Sequence, residues 1–173
     1  DRAEPLKREV MELTQFEMMA DLTHYHLLKL LEIKSPPKTE AGLSERLGLS
    51  QPQTRKIVQR LEKMGFIEKL PKGGWKRMAP RLDTPDHISS PAIRSAHRDA
   101  LQRAEAALDL PPEQREFSLQ ISVGSERHLP LLRQMMREFQ DQVHAAFGPE
   151  PGDQIFQLNM QLFPILTKRK DNQ

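Results

Sequence analysis

The 173 residues are enough for one domain or two small ones, and 37% hydrophobic with 29% charged residues is ordinary for a globular protein. No apolar run approaches the roughly 20 residues of a membrane helix, and no secretion signal is visible. Zero cysteines excludes disulfides, thiolate catalysis and cysteine-based zinc sites, so we expect a cytoplasmic protein.

Positive charge is concentrated in one segment of the chain. Between Ser50 and Arg81 nine basic residues accompany two acidic ones, a net charge of +7, whereas the whole chain carries +2. The remaining residues therefore total −5. A basic segment in an otherwise acidic chain indicates that one face of the protein binds a polyanionic partner.

The first predicted element is a long helix over residues 5–33, where apolar residues recur at helical spacing. Thr14 offers an alternative start, because it can cap a helix over residues 15–33 with Glu17 completing a capping box. The proline pair at 36–37 ends this element.

Residues 39–47 predict a short helix, and Gly48 suits the left-handed position at its end. Ser50 is a good N-cap for a basic helix that runs to Met64 and ends at Gly65. Next comes a hairpin, with strands over residues 66–70 and 75–78 and a turn that contains two adjacent glycines. This order is the outline of a winged helix-turn-helix, which places one helix in the DNA major groove.

The second half predicts a linker and then alternating helices and strands. Prolines punctuate residues 81–91, and a capped helix follows over residues 90–108. Alternating apolar and polar residues predict strands over 116–123 and 154–166, with an amphipathic helix over 125–147 between them.

A strand-helix-strand unit usually forms a right-handed parallel pair, but two strands make a poor independent sheet. A further strand must come from the hairpin region or from a second subunit, and we favour the second subunit. We therefore expect an α+β protein, a winged helix-turn-helix followed by a small strand-helix-strand domain. Its parts are residues 1–80 with the N-terminal helix and winged helix, 81–91 as linker, and 92–173 for dimerisation or sensing.

The basic helix and the hairpin carry the candidate DNA-binding residues. Arginine pairs with guanine edges, glutamine can pair with adenine, and hydroxyls at a helix N-terminus suit phosphate oxygens. The alternative is a solvated helix face and a hairpin whose lysines only aid solubility. The candidates are Ser50, Gln51, Gln53, Thr54, Arg55, Lys56, Gln59, Arg60, Lys72, Lys76 and Arg77.

Other chemistry finds no support in the sequence. His24 and His26 fall on different sides of a helix, so they make a weak metal site, and no second cluster joins them. No glycine loop fits a nucleotide-binding motif, and no serine has the context of a nucleophile. We expect no catalytic residues, no metal and no cofactor, and we expect Trp75 to pack at the base of the hairpin.

Five motifs carry a resemblance to a known family, namely AGLSERLGLS at 41–50, LEKMGFI at 61–67, SPAIRSAH at 90–97, REFS at 115–118 and QLNMQLFP at 157–164. The first two occur in many winged-helix repressors, and the last three are more specific. Together they resemble a bacterial family of proposed winged-helix transcriptional regulators that end in a domain of unknown function. The resemblance covers most of the chain and implies a further N-terminal helix-turn-helix segment, which these residues do not include.

The leading hypothesis is a homodimeric winged-helix transcriptional regulator that binds double-stranded DNA through its N-terminal half. Its C-terminal half would dimerise or respond to a small-molecule or protein effector. The alternative is a protein-interaction or second-messenger receptor module whose winged helix does not bind DNA on its own. An enzyme is a distant third.

Overall fold

The computed structural model of the protein describes residues 9–10, 21–78, 82–83 and 90–166. Within these ranges the chain is a mixed α+β protein with five α-helices and two small two-stranded sheets. The helices are α1 (Thr23–Leu30), α2 (Glu40–Leu47), α3 (Gln51–Lys63), α4 (Pro91–Ala107) and α5 (Leu129–Ala146). The strands are β1 (Glu9–Val10), β2 (Ile67–Lys69), β3 (Trp75–Arg77) and β4 (Leu82–Asp83).

Local capping sets the bounds of α2 and α3, as the sequence predicts. The Thr39 hydroxyl accepts a hydrogen bond from the Gly42 amide at 3.1 Å, and Gly48 ends α2 with a φ of +65°. Ser50 and Gln53 form a capping box, in which the Ser50 amide donates to Gln53 Oε1 at 3.0 Å. These caps place the turn between α2 and α3 at residues 48–50.

The hydrophobic core lies among α1, α2, α3 and the β2–β3 hairpin. Its fully covered members include Leu27, Leu43 and Leu61, one from each helix. The buried hydroxyls of Ser44 and Thr54 lie 2.9 Å apart, which joins α2 to α3 inside this core. Because buried hydroxyls are costly without partners, this pair favours one relative placement of the two helices.

The hairpin is antiparallel, with Glu68 opposite Lys76 and Lys69 opposite Trp75. Gly73 and Gly74 have φ values of +85° and +82°, which residues with a Cβ rarely adopt. Gly74 also lies against the preceding loop, since a Cβ there would be 3.4 Å from Lys38 Cα. The tip of the hairpin is thus held next to the start of α2.

A second, parallel ladder corrects two predictions. Glu9 pairs with Leu82 and Val10 pairs with Asp83, so β1 stands where part of the long helix was predicted and β4 stands inside the predicted linker. The described part of that helix is α1 alone, and residues 11–20 lie outside the described ranges. The two strands lie far apart in the chain, so no local sequence periodicity predicts that they pair.

The predicted helices of the second half are confirmed and its two predicted strands are wrong. Ser90 caps α4 by accepting from the Ile93 amide at 3.1 Å. Residues 116–123 and 154–164 contain no strand, and those segments form no ladder with any described residue. Alternation suits these residues to a sheet, but a ladder also needs a neighbouring strand, and the described part of the chain supplies none.

Candidate nucleic-acid interface

The outward face of α3 carries a stripe of three polar residues, Lys56, Gln59 and Lys63. All three are exposed, and at helical spacing they lie opposite the buried face of the helix. That buried face consists of Thr54, Ile57, Val58 and Leu61. Among the described residues, no carboxylate lies within ion-pair distance of Lys56 or Lys63. The stripe is therefore a positively charged ridge backed by the core.

Two arginines flank the stripe, and each has a partner. Arg55 Nε lies 3.0 Å from Glu40 Oε2 across the turn, with both side chains partly in solvent. On the other flank, Arg60 Nη1 lies 3.5 Å from His24 Nε2. Exposed ion pairs are worth about 0–1 kcal/mol, so an incoming anion can displace Glu40 from Arg55 at little cost.

The N-terminus of α3 corrects the prediction for Thr54. This residue is 0% exposed, and its hydroxyl lies 3.2 Å from Ser50 O and 2.9 Å from the Ser44 hydroxyl. It cannot reach a phosphate without opening the core. Ser50 and Gln53 are exposed but bonded to each other, with Ser50 Oγ 2.7 Å from Gln53 Oε1. Gln51 is exposed at the first position of the helix.

The hairpin divides its predicted residues between two faces. Lys72 and Lys76 are exposed, whereas the Arg77 side chain is only 11% exposed and donates from Nη1 to Glu32 Oε1. Successive strand residues point to opposite sides, so Arg77 shares the inner side with Trp75. Arg77 is thus a link to the end of α1, and it does not belong to the outer surface with Lys76.

Trp75 fixes the hairpin against α3, as its predicted packing role requires. Its ring is buried, and its indole Nε1 donates to Glu62 Oε1 at 2.8 Å. The stripe on α3 and the outer face of the hairpin are therefore held in one arrangement.

Two basic residues of this surface were not among the candidates. Lys63 completes the stripe, and its spacing of seven residues from Lys56 is the signal that could have identified it. Lys38 is exposed in the loop that meets Gly73 and Gly74 at the hairpin tip. That contact joins segments distant in sequence, so no local pattern predicts it.

His24 and its neighbours form a shallow groove beside α3, with a volume of about 200 Å³. Its lining consists of Asp21, His24, Leu49, Gln53, Lys56, Ile57 and Arg60. His24 Nδ1 lies 3.1 Å from the Asp21 carbonyl, which only accepts, so Nδ1 carries the hydrogen and Nε2 faces Arg60 as an acceptor. Burial, with the Arg60 charge beside it, lowers the pKa of His24 and favours this neutral form.

Asp21 and His26 extend this polar region. Burial of the Asp21 carboxyl raises its pKa, but the two hydrogen bonds from Thr23 and the charges of His24 and Arg103 together outweigh that effect, so the pKa is lowered. Burial lowers the pKa of His26, and the nearby Arg103 charge adds to the effect. Across the described ranges no three His, Asp or Glu side chains are grouped as a metal would require. None of the helices described there has the length and apolar character to cross a membrane.

Comparison with known proteins gives a family without an assigned activity. A search of curated proteins finds no match to the chain. One family model, described as "Domain of unknown function (DUF4423)", matches residues 3–165 and so includes the core, the stripe, the hairpin and both long C-terminal helices. The protein therefore belongs to the DUF4423 family.

Proposed function

We propose that residues 39–77 form a winged helix-turn-helix and that the protein is a DNA-binding transcriptional regulator. The observation that carries the proposal is the stripe Lys56, Gln59 and Lys63, exposed along α3 and flanked by Arg55 and Arg60. A stripe of this kind suits the major groove, which is about 12 Å wide and admits an α-helix. As a protein of this class it would act in the cytoplasm, without catalysis or a cofactor.

Each residue of the surface has a role in this proposal. Gln59 faces outward midway along the helix, where its amide can pair with an adenine edge. Lys56 and Lys63 lie one turn to either side and contact phosphates or guanine. Arg55 leaves Glu40 and reaches a guanine edge, and Gln51 lies at the helix start, where the dipole favours an anion.

The hairpin β2–β3 acts as the wing. Lys72 precedes the glycines of the tip and Lys76 lies on the outer face, so both can meet the backbone next to the groove that α3 occupies. The Trp75–Glu62 hydrogen bond supports this role, because it keeps the wing from moving independently of the helix. Ser50 and Gln53 act first as the cap of α3, and Arg60 is held by His24 at the edge of the surface.

We propose further that the protein acts as a homodimer, with residues 92–173 used for dimerisation or for sensing an effector. Two copies related by a two-fold axis present two α3 helices to half-sites about 34 Å apart. Operators of such a dimer are inverted repeats.

The test is selection of bound duplexes from a randomised DNA pool, followed by titration of the enriched duplex at several salt concentrations. We expect an inverted repeat and a loss of affinity of about 0.9 log unit per log unit of salt for each phosphate neutralised. Arg55→Ala should cost about 1–3 kcal/mol and relax the base preference at one position. Lack of enrichment and of binding even at low salt would overturn the proposal.

A second candidate function is a protein-interaction or second-messenger receptor module that uses the same scaffold without binding DNA. The ion pairs of Arg55 with Glu40 and of Arg77 with Glu32 favour it, since they reduce the positive charge offered to DNA. Capture of a partner on immobilised protein tests it, with Lys76→Glu as the variant. Undiminished capture by that variant argues against a role of the hairpin in the contact.

A further inference from the structure

The C-terminal half of the described chain has helices but no core. Ala96 is the last buried residue, and residues 97–166 contain none, although they include most of α4 and all of α5. The exposed large hydrophobic residues lie between 101 and 166, with the exceptions of Leu70 and Met78 in the hairpin region. A folded unit normally covers one face of each amphipathic helix, so these faces need a partner.

Residues 116–123 show the missing contact most clearly. Leu119, Ile121 and Val123 are 87%, 74% and 107% exposed, and they alternate with Ser118, Gln120 and Ser122. The segment thus has one apolar and one polar side, as a half-buried strand has. Arg115 lies over the ring of Phe117 at the start of the apolar side, but Leu119, Ile121 and Val123 are left largely uncovered by the described residues.

Residues 155–163 are attached to their own chain by the polar side. The side-chain amides of Gln157 and Asn159 both donate to the Ala100 carbonyl in α4, at 3.3 and 2.8 Å. Phe156, on the other side, is 68% exposed and stacks on Phe147, with ring centroids 5.4 Å apart. Because the segment turns its polar side toward α4, much of its apolar side is left uncovered by the described residues.

We propose that a second copy of this chain covers both apolar sides, so that the two copies share one sheet built from residues 116–123 and 155–163. The number of strands favours a second copy as the occupant. One copy supplies two candidate strands, which do not pair with each other, and a stable sheet needs three or more. Two copies supply four strands and four long helices, which is enough for a two-layer unit.

The exposed apolar area is also large enough for a dimer interface. The eight alternating apolar residues of the two segments are half or more exposed on average. At about 180 Å² for a fully exposed side chain they amount to roughly 900 Å², against the ~800 Å² that each partner contributes to a standard interface. In a homodimer with a two-fold axis the two contacting surfaces are identical. Each copy can therefore cover the apolar sides of the other, and no additional partner is needed. This inference rests on the homodimer of the proposed function, for which it names the contact surface, and it does not depend on DNA binding.

The first test measures mass in solution without DNA, by light scattering on the full chain at micromolar concentration. We expect about twice the 20.0 kDa of one chain. The double variant Leu119→Glu/Ile121→Glu should be a monomer, because charge on the apolar side cannot be buried in the shared sheet. Ser118→Glu/Gln120→Glu adds the same charge to the polar side of the same segment and should remain a dimer.

Both sites of the first variant are exposed in the single chain, so it should keep the helical circular dichroism of the wild type. A monomeric wild type, or a dimer that survives Leu119→Glu/Ile121→Glu, would overturn the proposal. Unfolding of that variant is controlled for by the second test, which introduces no charge.

The second test uses the absence of cysteine from the chain. Single cysteines are introduced at positions 118 to 123, and the rate at which each thiol reacts with a maleimide is measured on the native protein. We expect slow labelling at 119, 121 and 123 and fast labelling at 118, 120 and 122, since the partner covers only the apolar side of the segment. Uniformly fast labelling contradicts the proposal. Failure of DNA binding with this pattern intact would reject the proposed function alone.

Discussion

The carboxylate of Glu62, near the end of α3, accepts a hydrogen bond from the indole of Trp75 at the start of β3, with 2.8 Å between Nε1 and Oε1. The tryptophan ring itself is part of the core. One side chain therefore contributes apolar burial to the core and a directional contact to α3. The hairpin cannot change its angle to α3 without breaking both.

Replacing Trp75 separates these two contributions. Trp75→Phe removes the donor and keeps an aromatic ring, so the free energy of unfolding should fall by about 1–2 kcal/mol. Trp75→Ala also leaves a cavity and should cost about 3–5 kcal/mol. Urea denaturation measures both values. Glu62→Gln retains an acceptor oxygen and is the matched control, with an expected loss below about 1 kcal/mol, and an equal loss in all three variants would contradict the assignment.

The stripe on α3 predicts which cations set the salt dependence of DNA binding. Lys56→Ala and Lys63→Ala should each lower the slope of log affinity against log salt by about one if each lysine neutralises one phosphate. Fluorescence anisotropy with a fixed duplex measures the slope.

Arg77→Ala is the matched control for the lysines, because it removes a nearby positive charge from the inner side of the hairpin. It should leave the salt slope unchanged and reduce stability through the lost contact with Glu32. If Arg77→Ala changes the slope as much as Lys56→Ala does, the division of the hairpin into two faces is wrong.

Substitutions of Thr54 distinguish a role in the core from a contact with DNA. Thr54→Val keeps the shape and removes the hydroxyl that lies next to Ser44, so unfolding should become easier by about 1–3 kcal/mol. Thr54→Ser keeps the hydroxyl and should lose less. DNA affinity, measured well below the denaturation midpoint, should be the same for both variants. A uniform loss of affinity with normal stability would restore Thr54 as a phosphate contact.

Local signals predicted α2, α3 and the β2–β3 hairpin well. Thr39, Gly48 and Ser50 act within a few residues of themselves, so the bounds of α2 and α3 could be read directly. The burial of Thr54 follows from its spacing, because it lies three and four residues before Ile57 and Val58 on the buried face. Strand alternation from Trp75 would likewise have placed Arg77 on the inner side.

Nonlocal contacts account for what the sequence could not predict. The pairing of Glu9 with Leu82 joins segments that share no pattern, and the contact of Lys38 with Gly74 depends on how the loop before α2 folds back. For residues 116–123 the alternation is real, but a strand also depends on a neighbour. A sequence specifies the apolar side and does not identify the molecule that covers it.

Protonation of His24 makes the stability of the N-terminal half depend on pH. Its pKa is lowered in the folded state from the ordinary value of 6.5, because burial disfavours the imidazolium and Arg60 repels it. The unfolded chain therefore binds the proton more readily than the folded chain. Stability from this group is complete above about pH 6.5 and is lost as the pH falls toward the folded pKa, by up to about 1.4 kcal/mol per pH unit.

Denaturation midpoints in urea between pH 8 and pH 5 measure this effect. We expect a constant free energy of unfolding down to about pH 6.5 and a decline below it, to which His26, whose pKa is also lowered, adds. His24→Gln should reduce the decline, since the amide does not titrate, and His24→Gln/His26→Gln should reduce it further. A profile that His24→Gln leaves unchanged would show that protonation of His24 is not coupled to unfolding, and the neutral tautomer that faces Arg60 would have to be reassigned.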